Sequence, residues 1–90
     1  MSGNEQREMR KRRLRFRVWH RGMREVDLIL GRFADARLAL LDDAELDAFE
    51  ALLDTPDQEV LGWVLGELPV PPQSDTAFLR QVIAFHRGPA

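Results

Sequence analysis

Residues 41–66 read LDDAELDAFEALLDTPDQEVLGWVLG, and this stretch decides the fold. Asp42 followed three residues later by Glu45 is a capping-box arrangement, in which each side chain satisfies a backbone N–H that the first helical turn leaves without a partner. Leu41 and Leu46 take the positions of a hydrophobic staple across the same start. Leu46, Phe49 and Leu53 then recur at helical spacing and face inward. Thr55-Pro56 predicts a second start, with Thr55 as cap and Pro56 at the first helical position, where its missing N–H would have no partner anyway. Val60, Leu61, Val64 and Leu65 form the apolar stripe of this helix, and Gly66 ends it.

The same signals extend in both directions. A helix is predicted from about Met23 to Ala36, because Val26, Ile29, Leu30 and Phe33 fall at i, i+3, i+4 and i+7. Gly31 inside it costs about 1 kcal/mol relative to alanine, a cost better tolerated where another element packs closely. Upstream, a first helix runs from about Asn4 or Gln6 to Trp19, with Ser2 and Asn4 as candidate caps. Met9 and Phe16 share one of its faces with Arg13 between them, and Leu14 and Val18 lie on a neighbouring stripe. His20-Arg21-Gly22 breaks it. Downstream, Glu67 to Ser74 is an extended connection with Pro69, Pro71 and Pro72. A last helix begins near Ser74 or Asp75, carries Phe78, Val82 and Phe85 with Leu79 and Ile83 beside them, and stops at Gly88-Pro89. The reading is all-α: a compact single-domain bundle of four to five short helices over residues 1–90, with about 1–5 and 88–90 as frayed tails. Helices this short need packing to hold them.

A chain of 90 residues with no cysteine and 44% hydrophobic residues has one modest core. It has no disulfide frame, thiolate metal site or cysteine nucleophile, and no stretch apolar enough to span a bilayer. The net charge of −2 conceals a division. Residues 1–24 hold nine Lys+Arg and two acids, a net +7, while residues 25–90 hold four Arg and thirteen acids, a net −9. Between Asp42 and Glu67 there are nine acids and no base. The basic segment admits three readings: a phosphate-binding surface, a targeting peptide, or a helix whose arginines meet solvent, the acidic half of the same domain or an acidic partner. The acidic remainder opposes the first, and Glu5, Glu8 and scarce serine oppose the second. The third is favoured.

Enzyme signatures are scarce. There is no P-loop and no glycine-rich dinucleotide fingerprint. His20 and His86 lie far apart without metal-ligand spacing. Ser2 and Ser74 sit in no nucleophile motif. The acids from Asp42 to Asp57 lack a calcium-loop pattern and read as caps and a solvated face, and Trp63 reads as half in the core. One feature is not demanded by the fold. Arg21-Gly22-Met23-Arg24-Glu25 sets polar groups around a glycine at a helix–helix junction. Arg21 can grip a carboxylate or carbonyl in fork geometry, and Glu25 sits in a first turn where the helix dipole favours it. A bland reading, a C-cap glycine followed by a first-turn acid, explains the same residues.

These residues resemble the R-G-x-x-E signature of the succinate dehydrogenase assembly factor family. The resemblance continues through Val26-Asp27-Leu28-Ile29-Leu30, Phe33, Leu41, Glu45, Phe49-Glu50-Ala51-Leu52-Leu53, Asp54, Asp57, Trp63-Val64-Leu65-Gly66 and the proline-rich connection, covering about residues 10 to 87. It implies a five-helix bundle that is not itself an enzyme. It implies a partner, the flavoprotein subunit of succinate dehydrogenase and in some bacteria that of fumarate reductase, to which the family helps attach FAD covalently. No cofactor is then bound tightly by the chain itself. By position, partner contact carries over to Arg21, Gly22 and Glu25, with Met23, Arg24 and Asp27 in the same surface; family members often have an apolar residue at the position of Arg24. The expectation is a monomer in a bacterial cytoplasm, since the domain starts within a few residues of Met1, with no nucleic-acid partner and no membrane insertion. The rival class is a small basic-helix nucleic-acid-binding or antitoxin-like regulatory protein.

Overall fold

The computed structural model describes residues 3–88, which fold into five α-helices with no strand among them. These are α1 (Gly3–Val18), α2 (Arg24–Arg37), α3 (Asp43–Leu53), α4 (Asp57–Leu65) and α5 (Ala77–Arg87), with short 3-10 turns at Leu38–Leu40 and Pro72–Ser74. The candidate cap Ser2 and the outer ends of the expected tails lie outside the described residues.

The capping box forms as read. Glu45 N–H donates to Asp42 Oδ1 at 2.8 Å, and Asp42 N–H donates to Glu45 Oε1 at 3.0 Å. Leu41 and Leu46 are both buried beside it. The next start slips by one residue. Pro56 itself is the N-cap of α4, with extended backbone (ψ 140°). Thr55 instead finishes α3: its hydroxyl donates to the Ala51 carbonyl at 3.1 Å and its N–H to the Leu52 carbonyl at 3.1 Å. α5 also starts later than expected. Residues 72–74 close a 3-10 turn, and Thr76 Oγ1 accepts from Leu79 N–H at 3.1 Å as the true cap. Gly66 ends α4 in the left-handed region (φ +76°). There Glu67 N–H returns to the Gly62 carbonyl at 2.8 Å and Gly66 N–H to the Trp63 carbonyl at 3.2 Å, the paired bonds of a Schellman stop.

The core gathers around Phe33. Its ring meets those of Phe49, Phe78 and Phe85 edge-on at centroid distances of 5.9, 5.5 and 5.5 Å, so α2, α3 and α5 share one aromatic cluster. Such edge-to-face pairs each add about 0.5–1.5 kcal/mol beyond simple burial. Val26, Ile29, Leu30 and Phe33 are all buried, as the stripe on α2 requires. On α4 the inward face is rotated from expectation. Val60, Trp63 and Val64 are buried while Leu65 stays 46% exposed. The large indole gains more from burial than a leucine does, and Leu68 folds back over Gly62, where an added Cβ would lie 2.5 Å from its Cδ1. Gly31 is likewise a point of close approach. A Cβ there would lie 2.3 Å from the Trp19 ring, which explains a glycine inside a helix.

On α1 the structure selects the Leu14 and Val18 stripe for the core and leaves Met9 and Phe16 outside. Lys11 lies on the buried side too, its ammonium donating to the Ala39 carbonyl at 2.9 Å and so satisfying the 3-10 turn after α2. The remaining arginines explain the charge division. Arg7 grips Asp43 with two bonds of 2.9 and 3.0 Å, Arg10 reaches both Glu50 and Asp47, and Arg17 meets Asp54 at 3.1 Å. Arg15 lies 3.7 Å from Asp35 on α2. The basic helix is thus laid along the acidic one.

Two outcomes follow from this packing. Asp42→Ala removes the cap of α3 and should cost about 1 kcal/mol, read as a Tm lower by about 4–8 °C in a domain of this size. The second concerns acid. The hydrogen bond from Arg7 holds the Asp43 carboxyl below the ordinary carboxylate range, and the bond from Arg10 does the same for Glu50. Groups lowered in the folded state stabilise it fully above their unfolded values, about 4, and that contribution is lost as pH falls through the folded values. The urea midpoint should hold between pH 7 and about 5 and then drop toward pH 3. Arg10→Ala should flatten the part of the drop that belongs to Glu50.

Candidate functional site

The turn between α1 and α2 is built by its own polar groups. His20 N–H closes the end of α1 on the Arg17 carbonyl at 3.2 Å. Gly22 follows with φ +105°, a conformation that side chains rarely adopt. Arg21 N–H donates to Asp27 Oδ1 at 3.3 Å, and Asp27 N–H donates to the Met23 carbonyl at 2.9 Å. Asp27 therefore ties the turn to the first turn of α2.

Arg21 turns inward. Its Nε donates to Asp57 Oδ1 at 2.6 Å, Nη1 to the Leu53 carbonyl at 2.6 Å and Nη2 to the Thr55 carbonyl at 2.9 Å. Nη2 also pairs with the Asp57 carboxylate. The side chain is only 11% exposed. The fork geometry read from the sequence is present, and its acceptors are the end of α3 and the start of α4 of the same chain. These carbonyls are orphans of a helix terminus, so the guanidinium satisfies groups that the α3–α4 turn would otherwise leave open.

The other candidate residues divide by face. Gly22, Arg24 and Glu25 are exposed, and nothing lies within 4 Å of where a Cβ on Gly22 would sit. Met23 packs against the edge of the core, and Asp27 is half-buried. The structure thus brings Gly22, Arg24 and Glu25 to one surface and places Arg21 and Asp27 behind them as its supports. Glu25 also stands at the rim of a groove of about 360 Å³ between α2, α4 and α5, lined by Leu28, Leu61, Leu65 and Phe85, with Arg32 and His86 at its edge. A second groove of about 360 Å³ runs past Phe16, Arg17 and His20 to Arg21, with Leu53 and Asp57 in its lining.

Sequence reasoning missed the anchors of this turn. Asp57 stands 36 residues from Arg21, and no local spacing links them; the matching of a basic segment to an acidic one was the only available signal. Among the described residues no three His, Asp or Glu side chains converge on a point, and no helix is long and apolar enough to cross a membrane.

Residues 12–86 match the protein family described as flavinator of succinate dehydrogenase. The chain is 39% identical over 74 residues to the FAD assembly factor SdhE of Acetobacter pasteurianus, covering 82% of this chain and 68% of that protein. It is 43% identical over 68 residues to the mitochondrial succinate dehydrogenase assembly factor 2 of Mycosarcoma maydis, covering 76% of this chain and 29% of that one. The protein of the same description from Meyerozyma guilliermondii is 41% identical over 71 residues, covering 79% of this chain and 53% of that one. The chain therefore spans about two thirds of the bacterial relative and roughly half or less of the two fungal ones. No solved structure matches.

Arg21→Ala should destabilise the fold by about 2–3 kcal/mol, because it strips a charged donor from two carbonyls and leaves Asp57 without its partner. Arg21→Lys keeps the charge but cannot form the fork, and should recover less than half of the loss. Urea unfolding of the three proteins side by side measures both.

Proposed function

The chain belongs to the family of flavinators of succinate dehydrogenase, and from that premise we propose that it binds the flavoprotein subunit of succinate dehydrogenase and promotes covalent attachment of FAD to it. The observation that carries the reading is the turn at Gly22. It is an open backbone position with positive φ, flanked by exposed Arg24 and Glu25 and held in shape from behind by Arg21 and Asp27. A backbone without a side chain admits close approach of another protein, and a pre-shaped turn loses little entropy on docking.

The chemistry of attachment belongs to the flavoprotein, whose histidine receives the flavin. The helper acts by binding one arrangement of that subunit better than others, which raises the population in which FAD and histidine are oriented for reaction. It needs no tightly bound cofactor of its own for this, and it works as a monomer that leaves once attachment is complete. The reading extends to the flavoprotein of fumarate reductase, a partner of the same kind, and to a bacterial cytoplasm, which the similarity to the Acetobacter protein supports. The nucleic-acid alternative loses its main support, because Arg7, Arg10, Arg15, Arg17 and Arg21 are paired with carboxylates of the same chain.

The test is a flavinylation assay. Purified apo-flavoprotein is incubated with FAD, with and without this chain, and covalent flavin is read as fluorescence of the denatured subunit. The wild-type chain should raise the rate. Gly22→Arg should abolish binding while the bundle stays folded, since the added side chain meets open space and the backbone strain is about 1–3 kcal/mol. Glu25→Ala should slow flavinylation with little change in Tm. A normal rate with Gly22→Arg would show that this turn is not the docking surface.

A further inference from the structure

Four of the five phenylalanines build the core, and the fifth does not. Phe16 is 64% exposed, and Met9, two helical turns before it, is 56% exposed. At about 100° per residue, Met9, Arg12, Arg13 and Phe16 fall on one side of α1, opposite the buried Leu14 and Val18. Packing therefore does not call for apolar side chains there. Arg12 and Arg13 are exposed on the same side, and among the described residues neither is paired with a carboxylate. Their neighbours Arg7, Arg10, Arg15 and Arg17 are all paired within the chain. Glu5 lies on that face near the helix start, and Glu8, at its edge, is 3.7 Å from Lys11.

The aromatic group is held ready. His20 stacks on Phe16 with centroids 4.0 Å apart and planes 14° from parallel, and its Nδ1 lies 2.7 Å from the Phe16 carbonyl. The stripe thus continues past the end of α1 to the turn. Beside it runs the groove of Phe16, Arg17, His20 and Arg21, which ends one residue before Gly22 in the chain.

We propose that the outward face of α1, formed by Met9, Arg12, Arg13 and Phe16 and extended by His20, is a second docking surface. It takes an acidic segment of the flavoprotein partner that presents an apolar side chain. This rests on the flavoprotein reading above and names a different part of its interface. Charge complementarity selects the occupant: Arg12 and Arg13 are unpaired on a helix whose other described cations, Arg7, Arg10, Lys11, Arg15 and Arg17, all meet carboxylates of the chain, and two free guanidiniums side by side call for carboxylates. The exposed methionine and the stacked phenylalanine call for an apolar anchor between those carboxylates. A phosphate backbone offers no such anchor.

The experiment measures binding of the full chain to purified apo-flavoprotein at 50 and 300 mM NaCl. It compares wild type, Phe16→Ala, the double variant Arg12→Glu with Arg13→Glu, and Gly22→Arg. Phe16→Ala and the charge reversal should each weaken binding about tenfold or more, with the Tm unchanged because the residues are exposed. The charge reversal should also remove much of the salt dependence. If both variants bind as wild type does while Gly22→Arg fails to bind, the α1 face is not an interface and the flavoprotein reading stands. If wild type fails to bind at all, both fall. Parallel titrations use a labelled DNA duplex and phosphatidylglycerol vesicles. Tight wild-type binding to either, lost on charge reversal while flavoprotein binding is kept, would assign the face to that ligand and overturn the proposal.

Discussion

The guanidinium of Arg21 ties two turns that are more than thirty residues apart in sequence. One end of the tie is the α1–α2 turn, whose glycine adopts a positive φ. The other is the α3–α4 turn, where the Leu53 and Thr55 carbonyls and the Asp57 carboxylate converge on the same planar group. A lysine could supply the charge there, but its single nitrogen cannot spread donors over three positions of a rigid plane. Because the side chain is almost wholly enclosed, these bonds act with little competition from water. The exposed part of the turn inherits its shape from this hidden part. Residues that face solvent at Gly22, Arg24 and Glu25 are therefore positioned by a side chain that does not share their surface.

The second constraint is the pairing of basic α1 with acidic α3. The apolar contribution of α1 to the core is narrow, being Leu14, Val18 and the stem of Lys11. Ion pairs at the exposed margin are individually worth about 0–1 kcal/mol. Laid in a row, with Arg7 and Arg10 each gripping carboxylates in two-pronged geometry, they fix the direction and register of a helix that packing alone would hold loosely. The near-neutral net charge is the outcome of that internal match.

What was legible in the sequence is what local chemistry decides. The capping box at Asp42 and Glu45, the inward stripe of α2 and the glycine stop at Gly66 all depend on neighbours within a turn or two, and all three form. The shifts occur where distant groups compete. Thr55 could cap α4 or finish α3, and the orphan carbonyls of α3 won it. The face of α4 turned because Trp63 has more surface to bury than Leu65 and because Leu68 returned over Gly62. At the candidate site, the motif was legible as residue types around a glycine, but the direction of Arg21 was not. Its acceptors are two backbone carbonyls and an acid brought near only by the fold, and backbone carbonyls leave no mark in sequence.

Trp19 and Gly31 show a further consequence of close packing. The indole lies where the first carbon of any side chain at position 31 would stand. The two positions are thus a lock and its key cut together: neither can drift alone without opening a gap or forcing a collision. Over many generations the aromatic at the end of α1 and the smallest residue of α2 should persist or be exchanged as a pair. The turn that lies between them in sequence is carried along by that bond of shape.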